Sequence, residues 1–140
     1  MKIFLDANIL VSILNKEYPI FTYTSRILSL ADKTNFTLFT SPVCLAIAFY
    51  FAEKKYNSVS AKRKIQILCG HIHIAPANKS TALSCIKNPA INDFEDGLEY
   101  YSALENRCDC LITEDIHDFY FSKIEVLSSE SFIEKYLFGN

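Results

Sequence analysis

Apolar positions along the chain change period repeatedly, and the changes predict an alternation of strands and helices. Lys2 to Asp6 (KIFLD) is a short apolar run closed by an acid, and it reads as a buried first strand. Ala7 to Leu14 places Ile9, Leu10, Ile13 and Leu14 on one face, the pattern of an amphipathic helix, with Asp6 as its expected N-cap. Glu17-Tyr18-Pro19 interrupts the pattern, and helical spacing resumes over Phe21 to Ala31. Phe36 to Phe39 reads as a second strand. Ser41-Pro42 then opens a third helix, a capping hydroxyl followed by a proline that needs no N–H partner. The run Val43 to Ala52 (VCLAIAFYFA) is apolar on all sides, which predicts a largely buried helix. Lys54 and Lys55 close it at the negative end of its dipole.

The second half repeats the alternation. Ser60 to Leu68 is a helix, His71 to Ala75 a third strand ended by Pro76, and Ser80 to Ile86 a short helix. After the break at Asn88-Pro89, Asn92 or Asp93 can cap a helix whose inward face is Phe94, Leu98, Tyr101 and either Ala103 or Leu104. A fourth strand follows at Cys110 to Thr113 and a fifth at Glu125 to Leu127. A C-terminal helix runs from Ser129 or Ser131 to Leu137. Strands separated by helices pair in parallel and carry helices on both faces. The expected fold is therefore α/β: a three-layer α/β/α sandwich with a central parallel sheet of four to five strands. Residues 1–140 are expected to form a single domain.

Composition narrows the reading. Half of the 140 residues are apolar and 21% are charged, enough for a sizeable core. The net charge of −2 supplies no global basic field to attract nucleic acid, so any such contact must be local. Lys54, Lys55, Lys62, Arg63 and Lys64 form the densest basic region: a solvated helix face by default, a phosphate-contacting patch as the functional alternative. Five cysteines and the absence of a leader-like segment fit a reducing, cytoplasmic setting. No apolar run is long enough to span a bilayer. A zinc site from His71, His73, Cys108 and Cys110 lacks the usual C-x-x-C turn and is disfavoured. Most aromatics read as core, with Phe49, Tyr50, Phe51, Tyr100 and Tyr101 also able to pack a homodimer interface.

The chemistry concentrates in Asn92 to Phe119. Asp93, Glu95 and Asp96 sit at the start of a helix, and Glu114, Asp115 and Asp118 sit just past the next strand. Asp93 and Asp96 are three apart and share a helix face, whereas Glu95 and Glu99 are assigned to a different one. Asp6 stands at the end of the first strand. Ligands in parallel α/β folds bind outside the carboxyl ends of the strands, which is where Asp6 and Asp115 fall. Converging carboxylates repel one another unless a cation joins them, and oxygen ligands favour Mg²⁺ or Mn²⁺. Such an ion activates water and neutralises phosphodiester charge, so hydrolysis of RNA fits.

Phe4-Leu5-Asp6-Ala7-Asn8-Ile9-Leu10 resembles the opening motif of PIN domains. Asp93-Phe94-Glu95-Asp96-Gly97-Leu98, then Cys110-Leu111-Ile112-Thr113-Glu114-Asp115 and Asp118-Phe119, resemble the closing half of that family. The resemblance covers nearly the whole chain, with the motifs in the expected order. It implies a Mg²⁺- or Mn²⁺-dependent ribonuclease. Many small bacterial members are VapC-type toxins, which adds an antitoxin protein as an expected partner beside the RNA substrate. Matched residue by residue, Asp6, Asp96 and Asp115 are the expected catalytic acids and metal ligands. Asp93 and Asp118 match additional acids of one PIN subgroup and complete the expected metal set. The chain departs from the pattern twice. Ile47 stands where many PIN nucleases carry a Glu, and Glu53 lies on a different face. Glu114 stands where an Arg is usual. These departures motivate the alternative of a catalytically weakened PIN domain that binds RNA or protein.

Overall fold

The computed structural model describes residues 1–138. Five parallel strands, β1 (Lys2–Leu5), β2 (Thr37–Thr40), β3 (His73–Ile74), β4 (Cys110–Ile112) and β5 (Glu125–Leu127), form one sheet in the order β3-β2-β1-β4-β5. Helices α1 (Ala7–Asn15), α2 (Phe21–Ser29), α3 (Pro42–Lys55), α4 (Ser58–Cys69), α5 (Lys79–Lys87), α6 (Phe94–Glu105) and α7 (Ser129–Ile133) flank it. This is the three-layer arrangement expected of strands separated by helices. The central strands are apolar on both faces because helices cover both: Ile3, Phe4, Leu5, Leu111 and Ile112 are fully buried.

Strand order explains where a site can form. From β1 the chain moves outward to β2 and β3, then returns to place β4 on the other side of β1. The chain leaves β1 into α1 and β4 into a short 3₁₀ turn, and the crevice lies at their carboxyl ends, where the strand order switches. Ile3 pairs with Cys110 and Leu5 with Ile112, and the Asp6 N–H donates to the Ile112 carbonyl at 3.0 Å. That register puts Asp6 and Thr113 side by side at the mouth of the crevice.

Local sequence sets the helix starts. Asp6 caps α1, Ser41 caps α3 with Pro42 at its first position, and Asn57 caps α4. Asn78 and Thr81 form a reciprocal capping box at α5, and Asp93 caps α6. The C-terminal helix begins at Ser129 and continues past Ile133 into a wider π-type turn over Glu134–Phe138. The third strand is only two residues long, shorter than the expected His71–Ala75. It pairs with β2 alone, as an edge strand protected by brevity does.

Two packing expectations are corrected. Helix α3 is not largely buried. Cys44, Ala48 and Ala52 form the narrow stripe that meets the body, while Tyr50 and Phe51 remain 51% and 45% exposed. Small residues at four-residue spacing let neighbouring helices approach closely, so the bulky positions are left outside. Lys54 lies over the Tyr50 ring at 4.3 Å from its centroid, and the Lys55 ammonium donates to the Asn15 carbonyl. Helix α6 is rotated from the expected face. Phe94 and Leu104 are exposed, Leu98 and Tyr101 are half-buried, and Gly97, Glu99, Tyr100, Ser102 and Ala103 are buried. Asp93 fixes the first turn, and the inward face then includes a glutamate that a hydrophobic pattern assigns to solvent.

Candidate metal centre

Asp6 is buried because its backbone belongs to the end of β1 and its side chain caps α1. One oxygen, Oδ1, accepts from the Ala7 N–H at 2.6 Å, and Oδ2 accepts from the Thr113 hydroxyl at 2.7 Å. Thr113, the residue after β4, also accepts from the Asp115 N–H at 3.0 Å. Asn8, in the first turn of α1, ties the two strand ends together. Its Nδ2 donates to Thr113 Oγ1 at 3.1 Å and to Asp115 Oδ2 at 3.0 Å, and its Oδ1 accepts from the Glu114 N–H at 3.2 Å. Asp6 and Asp115, 109 positions apart in the chain, thus share one polar network set by the β1–β4 register.

The first turn of α6 supplies the opposite wall. Asp93 caps it by accepting from the Asp96 N–H at 3.1 Å. Asp96 is half-buried and faces inward, whereas Asp118 stands exposed on the short 3₁₀ turn Ile116–Phe119. All five sequence-predicted acids, Asp6, Asp93, Asp96, Asp115 and Asp118, line one cavity of about 450 Å³ with Asn8 and Ile47. Asp93, Asp96 and Asp118 also border a smaller cavity of about 240 Å³ beneath Tyr120. His71 and His73 are exposed on the far edge of the sheet and Cys108 and Cys110 are buried, so the disfavoured zinc set is not assembled.

Electrostatics at this crevice oppose ionisation. Burial pushes the Asp96 carboxyl up to about 7, with the charges of Asp93, Asp6, Asp118 and Glu95 adding to the rise. Glu95 is raised by the same two causes, burial first and then Asp93. Clustered carboxylates that resist ionisation in this way fit a hard divalent cation, whose charge removes the repulsion.

Two residues at the site escape the sequence reading. Glu99 lies one turn below Asp96 on α6, on the same inward face, and is 1% exposed. Burial, then contact with Asp6, pushes its carboxyl up to about 11. Cys44, in the first turn of α3, is fully buried against Glu99 and Asp6, and its thiol is held well above the ordinary thiol range, chiefly by burial. Among the described residues, Asp6, Cys44 and Glu99 form the tight group able to hold a metal, with ligand atoms within 4.8 Å of one another. The signal was present in the spacing: Asp93 is the cap, so the true helical i, i+3 pair is Asp96 and Glu99.

The Glu114 departure has a structural explanation. Its carboxylate turns away from the cavity and accepts from the backbone N–H of Ser129 at 3.1 Å and from the Ser129 hydroxyl, at the first turn of α7. A carboxylate there complements the positive end of the helix. Glu114→Ala is expected to lower stability by about 1 kcal/mol, the scale of a lost cap. Its Mn²⁺ affinity is expected to stay unchanged; thermal unfolding and calorimetric titration of the same sample check both.

An α/β/α domain with carboxylates gathered at the switch point of a parallel sheet is the class that fold and site define. The family model described as PIN domain matches residues 2–117, and the chain belongs to that family. It is 26% identical over 139 residues to the ribonuclease VapC1 of Aquifex aeolicus (strain VF5), covering 96% of this chain and 95% of that protein. Its fold is similar to a chain in the crystal structure of VapBC2 from Rickettsia felis bound to a promoter DNA fragment, with a TM-score of 0.70 at 21% identity. That match covers 91% of this chain and 98% of the other. It is also similar to VapC20 of Mycobacterium tuberculosis, a toxin that cleaves the sarcin–ricin loop, with a TM-score of 0.66 at 13% identity, covering 88% and 98% of the two chains.

Proposed function

We propose that the protein is a divalent-metal-dependent ribonuclease of the PIN type and the toxin of a toxin–antitoxin pair. The observation that carries the reading is the convergence of Asp6, Asp96 and Asp115 on one crevice at the β1–β4 switch point. Family membership and the likeness to VapC1 support it. Asp6, Asp96 and Asp115 hold the cation, with Asp93 and Asp118 assisting, and Mg²⁺ or Mn²⁺ matches the all-oxygen donor set. When bound, such a cation supplies water activation and charge neutralisation at a phosphodiester. The chain's own residues do the positioning. Thr113 and Asn8 fix the orientation of Asp6 and Asp115, and the capped first turn of α6 aims Asp96 across the cavity.

Residues 1–140 act as a single domain in this reading, with RNA as substrate, an antitoxin protein as partner, a homodimer as the assembly and the cytoplasm as the setting. No helix among the described residues is long and apolar enough to cross a membrane. Cleavage of RNA by Mn²⁺-supplemented protein, lost on chelation, is the direct test. A protein that neither cleaves RNA nor binds Mn²⁺ refutes the reading and favours the weakened, binding-only alternative.

Ile47 is half-buried on the cavity wall and brings no donor. Ile47→Glu is expected to tighten Mn²⁺ binding by roughly an order of magnitude, because affinity follows the count of charged ligands. The same change is expected to lower the melting temperature in chelator, since it adds a carboxylate to a repulsive cluster. Calorimetry and thermal unfolding measure the two effects.

A further inference from the structure

Glu99 is not placed like an exposed cavity ligand. It is 1% exposed, and its Oε2 has no hydrogen-bond partner. It faces the Asp6 carboxylate, from the end of β1, and the Cys44 thiol, from the first turn of α3. All three are buried, and a ligand atom of each lies within 4.8 Å of the others. As ionised carboxylates Asp6 and Glu99 can only accept, and the oxygens of Asp6 already accept from Ala7 N and Thr113 Oγ1, so neither satisfies the other. A buried carboxylate oxygen with no donor, set against a second carboxylate, calls for a cation or a proton between them.

We infer that Asp6, Cys44 and Glu99 form an inner cation position, separate from the outer one lined by Asp96 and Asp115. It would take a divalent transition-metal ion of borderline softness, such as Zn²⁺ or Co²⁺, in preference to Mg²⁺. The donor chemistry decides this. A thiolate beside two carboxylates suits the later transition metals, whereas Mg²⁺ demands oxygen ligands and keeps several waters, which a buried cluster does not provide. The three donors come from three different elements, each fixed by its own packing, so the ligands are held in place before the ion arrives. Asp6 stands in the wall between the outer cavity and the cluster and is common to both positions. Helix α3 offers Ile47 to the outer cavity and Cys44 one turn deeper, so its only donor here serves the inner position. The inference shares Asp6 with the proposed nuclease site but does not rest on nuclease activity.

The test uses the full chain with Cys69→Ser, which removes the exposed cysteine. After chelation and buffer exchange, Co²⁺ is titrated and thiolate-to-cobalt charge transfer is followed in the near ultraviolet. We expect a saturable band that Zn²⁺ removes and excess Mg²⁺ does not. Cys44→Ser is expected to abolish the band, and Glu99→Gln to weaken Co²⁺ binding by roughly tenfold to a hundredfold. Asp115→Asn, which removes no ligand of the inner position, is expected to leave the band in place. No band in the parent, a band that persists in Cys44→Ser, or parent-like affinity in Glu99→Gln would each overturn the inference. The last result would make Glu99 a neutral acid packed on Asp6. Zinc X-ray absorption on the parent is a second arm that needs no change at Cys44: a shell containing sulfur is expected, and a shell of oxygen and nitrogen alone overturns the inference. Because neither readout involves RNA, a failure of the nuclease reading would remain distinguishable from a failure of this one.

Discussion

Asp6→Asn is expected to abolish Mn²⁺-dependent RNA cleavage while leaving the protein folded. Asp6 is held rigidly before any ligand arrives, by the Ala7 N–H on one oxygen and the Thr113 hydroxyl on the other. An asparagine keeps the shape and one carbonyl acceptor for the Ala7 N–H, so the α1 cap survives. The Thr113 hydroxyl keeps the bonds it accepts from Asn8 Nδ2 and the Asp115 N–H and loses only its acceptor at position 6. What is lost is the charge and an anionic ligand oxygen. Lewis-acid and charge-stabilising effects of a catalytic cation are worth several kcal/mol, so the rate is expected to fall by at least roughly a hundredfold. Calorimetric titration with Mn²⁺ provides the arm that does not depend on knowing the RNA target, and the binding heat is expected to vanish with the activity. Undiminished cleavage, or Mn²⁺ binding equal to that of the unmodified protein, would remove Asp6 from the site. The melting temperature in chelator should not fall, because the substitution takes one charge out of a group that repels Glu99 and Asp96.

The contrast between Asp6 and Glu99 marks how far the sequence could be read. The strand ends were legible because a short apolar run ending in an acid leaves few alternatives once the strands are parallel: Asp6 and Thr113 had to fall at carboxyl ends on the same side of the sheet, and the structure adds that β1 and β4 are neighbours. The outer acids followed from that placement. The inner face of α6 was only partly legible, because its period was judged from Phe94, Leu98, Tyr101 and either Ala103 or Leu104. The structure buries Ala103 and, with it, Gly97, which packs closely on Cys85 and Ile91, and Glu99, which faces Asp6 and Cys44. The same logic hid Cys44. Helix α3 is apolar on every side, so its pattern carried no phase, and only contact with its neighbours selects Cys44, Ala48 and Ala52 as the inward stripe. Glu114 shows the converse case. Its departure from the family pattern looked like a loss at the site, and the structure assigns it to the N-terminus of α7.

In chelator, the protein is expected to be more stable at pH 5 than at pH 8, and Mn²⁺ should reverse the order. Asp96 has an ordinary value of 3.8 and is raised to about 7 in the folded chain, first by burial and then by the neighbouring acids. The folded state therefore holds this proton more tightly than the unfolded one. The associated stability is complete below pH 3.8 and is lost as pH rises through about 7. Because Asp96 is only half-buried, solvent screening reduces the nominal effect to on the order of 1–2 kcal/mol across the interval. Glu99, raised to about 11, acts in the same direction over the whole interval. Glu125 acts in the opposite sense, since Lys135 and Tyr136 hold its carboxyl down, but its window lies below its ordinary 4.5. A bound cation favours the ionised carboxylates, so its stabilisation grows with pH. Melting curves at the two pH values, with chelator and with Mn²⁺, measure all four states. Asp96→Asn should reduce the chelator difference to the part that Glu99 carries and shrink the Mn²⁺ response together. A protein that is more stable at pH 8 than at pH 5 without metal would show that the crevice acids ionise freely and do not repel one another. A cation would then have no repulsion to relieve, and the electrostatic case for the metal centre would fail.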